Sequence, residues 1–501
     1  MSLRFYNSLT RRVEAFEPLT PGKAKVYVCG ITTYDLPHAG HARTYTTFDV
    51  LVRHLRARGY EVTHCRNVTD VDDKIVKRAA ELGEEPLAFS ARMSVIADDD
   101  LRAIGCEHPD VNPRVSTTMP EIIQLIEQLI AKESAYVVDT PKGKDVYFAV
   151  RSFAGYGKLS HRTAQSLLTD ASGRTDADDT SKKRAPEDFA LWKGAAESEW
   201  GWKSPWGWGR PGWHIECSAM GKTHLGETLD LHGGGLDLIF PHHENEIAQS
   251  EAASGKPLAK LWMHNGFVEV DKTKMSKSLG NFFTAREIFR LYEPEAVRYA
   301  MLTVHYRSPL GFVPETDAAG VTRFPLFDEA ERRVEYVYTT RERLASIEPA
   351  RIVEAGEVSA VLTKFPAALA AALDDDLNMP VALAETSEML KAVNELVDAS
   401  RRKKGTVAKA AVAAASAALA ALGKELGIGE EEPSALLGRL RTRRTTAKGL
   451  TEAQVDEKIA ARAAARDAKD FAAADRLRDE LTAWGVEIMD GPKGTTWRML
   501  G

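Results

Sequence analysis

The chain has 501 residues, 44% hydrophobic and 28% charged, which is enough to fill several cores, so a multidomain globular protein is expected. A net charge of −6 announces no nucleic-acid partner for the protein as a whole; any such surface has to be local. The 4 cysteines, at positions 29, 65, 106 and 217, are too few and too scattered for a disulfide framework, and neither a long apolar run nor a signal-peptide core is present, so a cytoplasmic, membrane-free setting is expected.

Residues 3–16 read as a hairpin or extended arm and 18–22 as a turn. Residues 25–28 form a β-branched and aromatic run suited to a buried parallel strand, and Gly30 lets the backbone turn at its end. Residues 39–58 carry Phe48, Leu51, Val52 and Leu55 at helical spacing. His38 and His41 therefore stand at a helix mouth, where backbone N–H groups and the helix dipole favour phosphate. Residues 61–67 give the next strand and complete a parallel crossover unit. The polar stretch 67–74 follows at that strand's carboxyl end, where open α/β sheets place ligands, and Thr69 and Asp70 are also good caps for a helix over 75–82.

Helices are expected over 86–104 and 120–132, then a strand pair over 136–150 around a turn at 141–144. Residues 169–186 are polar and charged, as in a surface loop. Residues 200–213 set 5 tryptophans among glycine and proline, which predicts an irregular segment that walls a pocket or packs on a neighbour. A strand over 229–235 runs into a glycine turn, and 240–246 opens a helix. Helical periodicity then recurs over 286–302, 329–344, 358–373 and 380–401, as in a bundle, with a polar break at 374–378. An alanine-rich helix over 407–426 precedes a linker at 427–434. Arg439, Arg441, Arg443 and Arg444 are concentrated enough to meet a phosphate backbone. One long charged helix over 451–484 and a hairpin over 486–499 end the chain, with Trp497 and Arg498 as candidates for contacting RNA bases.

Metal-ligand chemistry is suggested by His242 and Glu246, four apart on one helical face; His243 and Glu246, three apart, share a face as well, so spacing does not choose the histidine. Cys29 and Cys217 could add thiolates, and a Cys, Cys, His, Glu set suits Zn²⁺ better than a hard cation.

His38-Ala39-Gly40-His41 resembles the HIGH signature of class I aminoacyl-tRNA synthetases, with alanine for isoleucine at a packing position, and residues 274–278 match their KMSKS signature letter for letter. The blocks YVCG, NVTDVDDK, PGWHIECSAM and HGGGLDLIFPHHENEIAQS look like those of the cysteinyl-tRNA synthetase family. The resemblance spans nearly the whole chain. It implies an α/β fold: a Rossmann-type parallel-sheet catalytic domain with an inserted connective domain, then a helical bundle and a small C-terminal α+β module. The expected bounds are 1–115 and 206–265 for the two catalytic halves, 116–205 for the insertion, 266–325 for the signature-loop region, 326–430 for the bundle and 435–501 for the module.

By the same resemblance, Cys29, Cys217, His242 and Glu246 bind one zinc per chain, which takes the thiolate of substrate cysteine directly. A hydrophobic pocket separates cysteine from serine poorly, whereas zinc prefers thiolate to hydroxyl, so no editing site is needed. Four protein ligands ordinarily mark a closed structural zinc, so the ion must admit a fifth ligand or loosen one. The implied chemistry is activation of L-cysteine with ATP and Mg²⁺ to cysteinyl adenylate, then transfer to tRNA(Cys). His38, His41, Lys274 and Lys277 would contact the phosphates, with Lys277 also counted among the nucleotide-binding residues. Thr44, Asn67, Thr69, Trp213, Gly235 and Asp237 would line the adenylate and amino-acid pocket. A monomer is expected. The alternatives are a ligase of mycothiol synthesis, which passes activated cysteine to an amino sugar and lacks such a long C-terminal extension, and an inactive RNA- or zinc-binding homologue.

Overall fold

The computed structural model describes residues 2–162, 182–271, 273–274, 282–316, 320, 322–491 and 494–500. It divides into two compact units, one of residues 1–332, 359–389 and 416–428, the other of 333–358, 390–415 and 429–501.

In the first unit the hairpin of β1 (Arg4–Asn7) and β2 (Arg12–Ala15) precedes β3 (Lys23–Val28), α1 (Ala39–Ala57) and β4 (Glu61–Arg66). β3 and β4 pair in parallel, so α1 is the crossover helix of a βαβ unit. Two helices follow, α2 (Asp73–Leu82) and α3 (Pro86–Ala103). The cap of α2 is Asp72, whose side chain accepts from Lys74 N–H, and not Thr69 or Asp70. Asp70 instead takes the N–H and the hydroxyl of Ser116.

After α4 (Met119–Ala131) comes an antiparallel five-stranded sheet of β5 (Ala135–Thr140), β6 (Gly143–Phe148), β7 (Phe189–Gly194), β8 (Trp202–Ser204) and β9 (Gly207–Pro211), in the order β5-β6-β7-β9-β8. The tryptophan stretch is thus not irregular. Gly207, at φ +101°, turns it into the hairpin β8–β9, and Trp206 is buried in the core. Of the polar loop expected at 169–186, only its last residues fall among those described.

The chain then returns through α5 (Trp213–Leu225), β10 (Leu229–Gly235), α6 (Glu244–Ser254) and β11 (Ala259–Asn265). The central sheet is wholly parallel, in the order β11-β10-β3-β4. The chain leaves β3 toward β4 and β10 toward β11, in opposite directions. The carboxyl ends of β3 and β10 therefore flank the switch point where such sheets bind ligands. The glycines of β10 are ladder residues, not a turn: a Cβ on Gly233 would lie 2.2 Å from the Phe48 ring. Gly30 also has a different use from the one its sequence suggested. It has no positive φ, but a Cβ there would fall 1.6 Å from the Asn67 carbonyl oxygen.

Beyond β11, β12 (Val268–Val270) pairs with β13 (Thr273–Lys274) and β14 (Leu310–Phe312). The helix expected over 286–302 is two, α7 (Ala285–Phe289) and α8 (Pro294–Leu302), because Pro294 opens a new one. The remaining long helices are α9 (Pro325–Ala345), α10 (Ala360–Asp374), α11 (Met379–Arg401) and α12 (Lys409–Leu426).

The second unit contains α13 (Pro433–Ala447), α14 (Glu452–Asp467), α15 (Phe471–Ala483) and a hairpin of Val486–Gly491 with Gly494–Met499. The single helix expected over 451–484 is broken at Lys469, which takes φ +59°, and Asp470 caps the next helix. Val455, Ile459, Leu481 and Trp497 form the core there. Trp497 is buried and its Nε1–H donates to Asp456 at 2.7 Å, so it is a packing residue, not an exposed base contact. Arg439, Arg441 and Arg444 are engaged by Glu431, Glu452 and Glu335, and Arg498 pairs with Glu487.

Candidate active site and metal centre

His38 is the N-cap of α1. Its Nδ1 accepts from Gly40 N–H at 3.0 Å, and Nδ1 of His41 accepts from His38 N–H at 3.2 Å. The rings stack at 3.8 Å. A capping box usually employs hydroxyl and carboxyl groups; here two imidazoles serve. Because both Nδ1 atoms accept, the neutral rings carry their proton on Nε2. Burial, with His38 adding to it, holds His41 well below the usual histidine range, so it stays neutral. Two imidazole N–H donors at a helix start suit phosphate oxygens.

The same helix start is stitched to the chain just beyond the second signature. Ala39 N–H donates to Phe283 O at 3.3 Å and Ala285 N–H to Pro37 O at 2.8 Å. Lys274 lies on β13, paired with Glu269. Lys277 lies outside the described residues.

Below this, Cys29 follows β3, Cys217 lies in α5, and His242 precedes α6, which carries Glu246; all four are buried. Their donor atoms lie within 4.8 Å of one another. Cys29 Sγ is 3.9 Å from Cys217 Sγ and 3.6 Å from Glu246 Oε1, and His242 Nε2 is 3.0 Å from that oxygen. The hydrogen bond from Cys29 holds the Cys217 thiol down at about 6, favouring thiolate, while burial pushes Cys29 up. Burial alone would lower His242, but the Glu246 carboxylate carries it to about 10. Glu246 is held well below the usual carboxylate range, against its burial, by His232 and His242. A carboxylate, a low-lying thiol and clustered imidazoles in a water-poor floor are expensive to bury without a cation. Soft thiol and borderline imidazole donors fit zinc.

Sequence spacing left His243 open and missed His232 and His214 here. His232 Nε2 meets Glu246 Oε2 at 2.8 Å, and His243 Nε2 lies 3.2 Å from Cys29 Sγ. His214 Nδ1 faces His242 Nδ1 at 3.0 Å. Only their crowding into two sequence blocks, 214–246 and 262–264, could have signalled it.

The other predicted residues surround this floor in part. Asn67 Oδ1 accepts from Gly30 N–H at 2.7 Å, its Nδ2 donates to Thr69 Oγ1 at 3.1 Å, and the Cys217 thiol donates to Asn67 Oδ1 at 3.7 Å. Trp213 is 37% exposed and stacks on His242 at 4.3 Å, so it marks the open side of the metal set. A Cβ on Gly235 would lie 2.6 Å from Asp237 Oδ1 and 3.9 Å from Thr44 Oγ1, which brings those three together at the end of β10. Tyr45 links the two halves of the site: its ring stacks near His41, and its hydroxyl donates to Cys29 O at 3.1 Å.

A family model described as the tRNA synthetases class I (C) catalytic domain matches residues 15–320, and a cysteinyl-tRNA ligase anticodon-binding domain matches 449–498. Cysteine–tRNA ligases of Anaeromyxobacter sp. (strain K) and Geobacter sulfurreducens are 47% and 44% identical to this chain, each over 100% of both sequences. The chain belongs to the cysteine–tRNA ligase family of class I tRNA synthetases. It is an enzyme of that ligase class. A DALR domain model also matches, over 368–430. The fold extends to more distant class I enzymes: methionyl-tRNA synthetase of Mycobacterium tuberculosis with methionyl-adenylate aligns at a TM-score of 0.57 and 17% identity over 84% of this chain and 94% of that one. A leucyl-tRNA synthetase complex from Agrobacterium radiobacter K84 aligns at 0.56 and 14%, over 84% and 86%. Within the cysteine–tRNA ligase family, cysteine chemistry and a floor of soft donors are compatible by simple bonding preference. Among the described residues, no helix is long and apolar enough to cross a membrane.

Proposed function

We propose that this enzyme activates L-cysteine with ATP and esterifies it to the 3′ end of tRNA(Cys), selecting cysteine by its thiolate. The observation that carries the reading is the buried quartet of Cys29, Cys217, His242 and Glu246 beneath the start of α1. When bound there, zinc supplies a Lewis acid that holds thiolate strongly and a neutral hydroxyl weakly. Trp213, stacked on His242, excludes water from the thiolate side, and Asp237 is the carboxylate for the substrate ammonium.

In the first step an oxygen of the cysteine carboxylate attacks the α-phosphorus of ATP, and the bond from that phosphorus to the pyrophosphate oxygen breaks. No enzyme nucleophile takes part. His38 and His41 donate from Nε2 to phosphate oxygens whose charge grows in the transition state, with Mg²⁺ accompanying the nucleotide. Lys274 and Lys277 serve the departing pyrophosphate. In the second step a ribose hydroxyl of the tRNA terminus attacks the acyl carbon and AMP leaves. The match of 449–498 to an anticodon-binding domain supports tRNA as the acceptor over an amino sugar.

The test is ATP–pyrophosphate exchange with cysteine, serine or no amino acid, followed by transfer to tRNA or to glucosaminyl-inositol. Exchange with cysteine alone and transfer to tRNA is the expected result. Transfer to the amino sugar alone overturns the acceptor, and exchange with serine as fast as with cysteine overturns selection by thiolate.

A further inference from the structure

Arg43 stands in α1, two residues beyond His41, and is wholly buried. Its guanidinium is held by main-chain carbonyls. Nη1 donates to Met301 O, and Nη2 donates to His305 O at 2.9 Å, Ser308 O at 3.1 Å and Tyr306 O at 3.5 Å. Met301 lies in the last turn of α8, where carbonyls lack helical partners and the dipole favours a cation. Burial lowers Arg43 to about 10, so it keeps its charge at neutral pH. We propose that Arg43 is a positioning residue for cysteine activation: by gripping the carbonyls of 301–308 it fixes the strand that carries Lys274 relative to His38 and His41, which open the same helix. The proposal rests on the reading of Lys274 as a residue that serves the departing pyrophosphate.

The grip passes to that strand through main-chain hydrogen bonds. Gly266, which follows β11, donates its N–H to Tyr306 O at 2.8 Å, one of the carbonyls that Arg43 holds. A Cβ on Gly266 would lie 2.5 Å from Ser308 O, another of them, so the chain leaving β11 is seated directly on the gripped loop. Next, Leu310 N–H donates to Phe267 O at 2.9 Å, and β14 pairs in parallel with β12 from Val268 opposite Leu310 to Val270 opposite Phe312. β12 in turn pairs with β13, where Glu269 stands opposite Lys274.

The loop has a second anchor on its other side. Asp376, in the break between α10 and α11, accepts from the Tyr306 hydroxyl at 2.7 Å and from Arg307 Nε at 2.9 Å. Asp376 ties the loop to the helices that follow, whereas Arg43 ties it to the helix that presents the two histidines. A buried cation is a costly way to fill space. What it supplies here is direction, because a planar guanidinium addresses carbonyls from Met301 to Ser308 with two nitrogens at once, and a lysine ammonium is a single point on a flexible stem. The two signatures are remote in sequence, and activation needs both on one nucleotide; a displacement of about 1 Å between them is enough to cost about 10²-fold in rate.

The experiment is a double-mutant cycle between Arg43→Lys and Lys274→Ala in ATP–pyrophosphate exchange by the full-length enzyme, read beside transfer of cysteine to tRNA from adenylate formed beforehand. Arg43→Lys is expected to slow exchange by about 10–10²-fold, in kcat and not in the KM for cysteine. The transfer step, which releases no pyrophosphate, is expected to stay within about twofold of wild type. In the Lys274→Ala background the same substitution is expected to cost less than about threefold, since the group it places is gone. Equal losses in both backgrounds, or in both steps, overturn the proposal and leave Arg43 a residue of stability alone. Lys274→Ala that exchanges at the wild-type rate overturns the pyrophosphate reading and this proposal with it. If Arg43→Lys does not fold, Gly266→Ala takes its place in the cycle, because its methyl group presses on Ser308 O from the opposite side. The same loss, confined to exchange and absent beside Lys274→Ala, is expected, and wild-type exchange by Gly266→Ala overturns the proposal.

Discussion

The catalytic floor and the C-terminal hairpin module handle polar groups in opposite ways. In the module, charges sit at the rim and find partners among neighbouring residues: Arg462 and Arg466 on Asp490, Arg441 on Glu452, and Trp497 Nε1–H on Asp456. Its centre is apolar. In the floor the centre itself is polar, with Glu246, His232, His242 and His243 each at most 2% exposed. A fold that needed only stability would fill that space with hydrophobic side chains. The difference separates polar residues that fold the chain from polar residues that the chain folds to hold.

Removing a polar group should therefore cost function in the floor and stability in the module. The largest effect is expected from Glu246→Gln, which takes the carboxylate from the donor quartet. Breaking a buried ionic cluster costs about 3–5 kcal/mol, so zinc content by elemental analysis and cysteine-dependent exchange should both collapse; retained zinc at wild-type level would contradict the ligand assignment. Next, His41→Ala should slow exchange by about 10²–10³-fold, the usual worth of a donor to developing charge, with zinc content unchanged. A loss of zinc instead would mean that the helix start and the floor cannot be treated separately.

In the module, Trp497→Phe keeps the ring and loses one hydrogen bond, about 1 kcal/mol in denaturant unfolding, with exchange at the wild-type rate. Lowered exchange at matched stability would blur the contrast. The smallest effect belongs to Asp490→Asn. The hydrogen bond from Arg462, with Thr495 helping, holds the Asp490 carboxyl well below the usual range. A carboxylate depressed in the folded state stabilises above its unfolded pKa of about 3.9 and loses that contribution as pH falls toward the folded value. Asp490 is 44% exposed, so wild type should exceed the variant by less than about 1 kcal/mol at neutral pH. The gap should close on acidification below about pH 4. A difference that persists at low pH would assign the effect to packing.

Much of the catalytic half was legible because its chemistry lies in contiguous words. The strand and helix around His38 and His41 follow from β-branched and helical periodicities, and the quartet of soft donors from motif resemblance. What spacing left open, the choice between His242 and His243, the fold answers by placing both near the same Glu246 oxygen, His242 at 3.0 Å and His243 at 4.0 Å. The sequence shows His232 only as part of a strand, because the partner that gives it meaning is 14 residues away. Glycine and proline count against strands on average, which hides the strands of the tryptophan stretch, yet Gly207 needs only one turn to make a hairpin. The break at Lys469 was hidden because lysine rarely takes a left-handed conformation, although Asp470 was a legible cap. The chemistry of Trp497 makes it a candidate for RNA contact; periodicity does not show that its polar edge is taken by Asp456.

Gly30 has a clearance that no other residue could share. With 1.6 Å between its missing Cβ and the Asn67 carbonyl oxygen, even one methyl group would act as a wedge between the tips of β3 and β4. Asn67 holds the Gly30 N–H and receives the Cys217 thiol, and Cys29 is the adjacent residue. The span between the two cysteine sulfurs is therefore gauged by a side chain that is not there, and the smallest possible enlargement of this protein would be felt first as a change in bite between its two thiols.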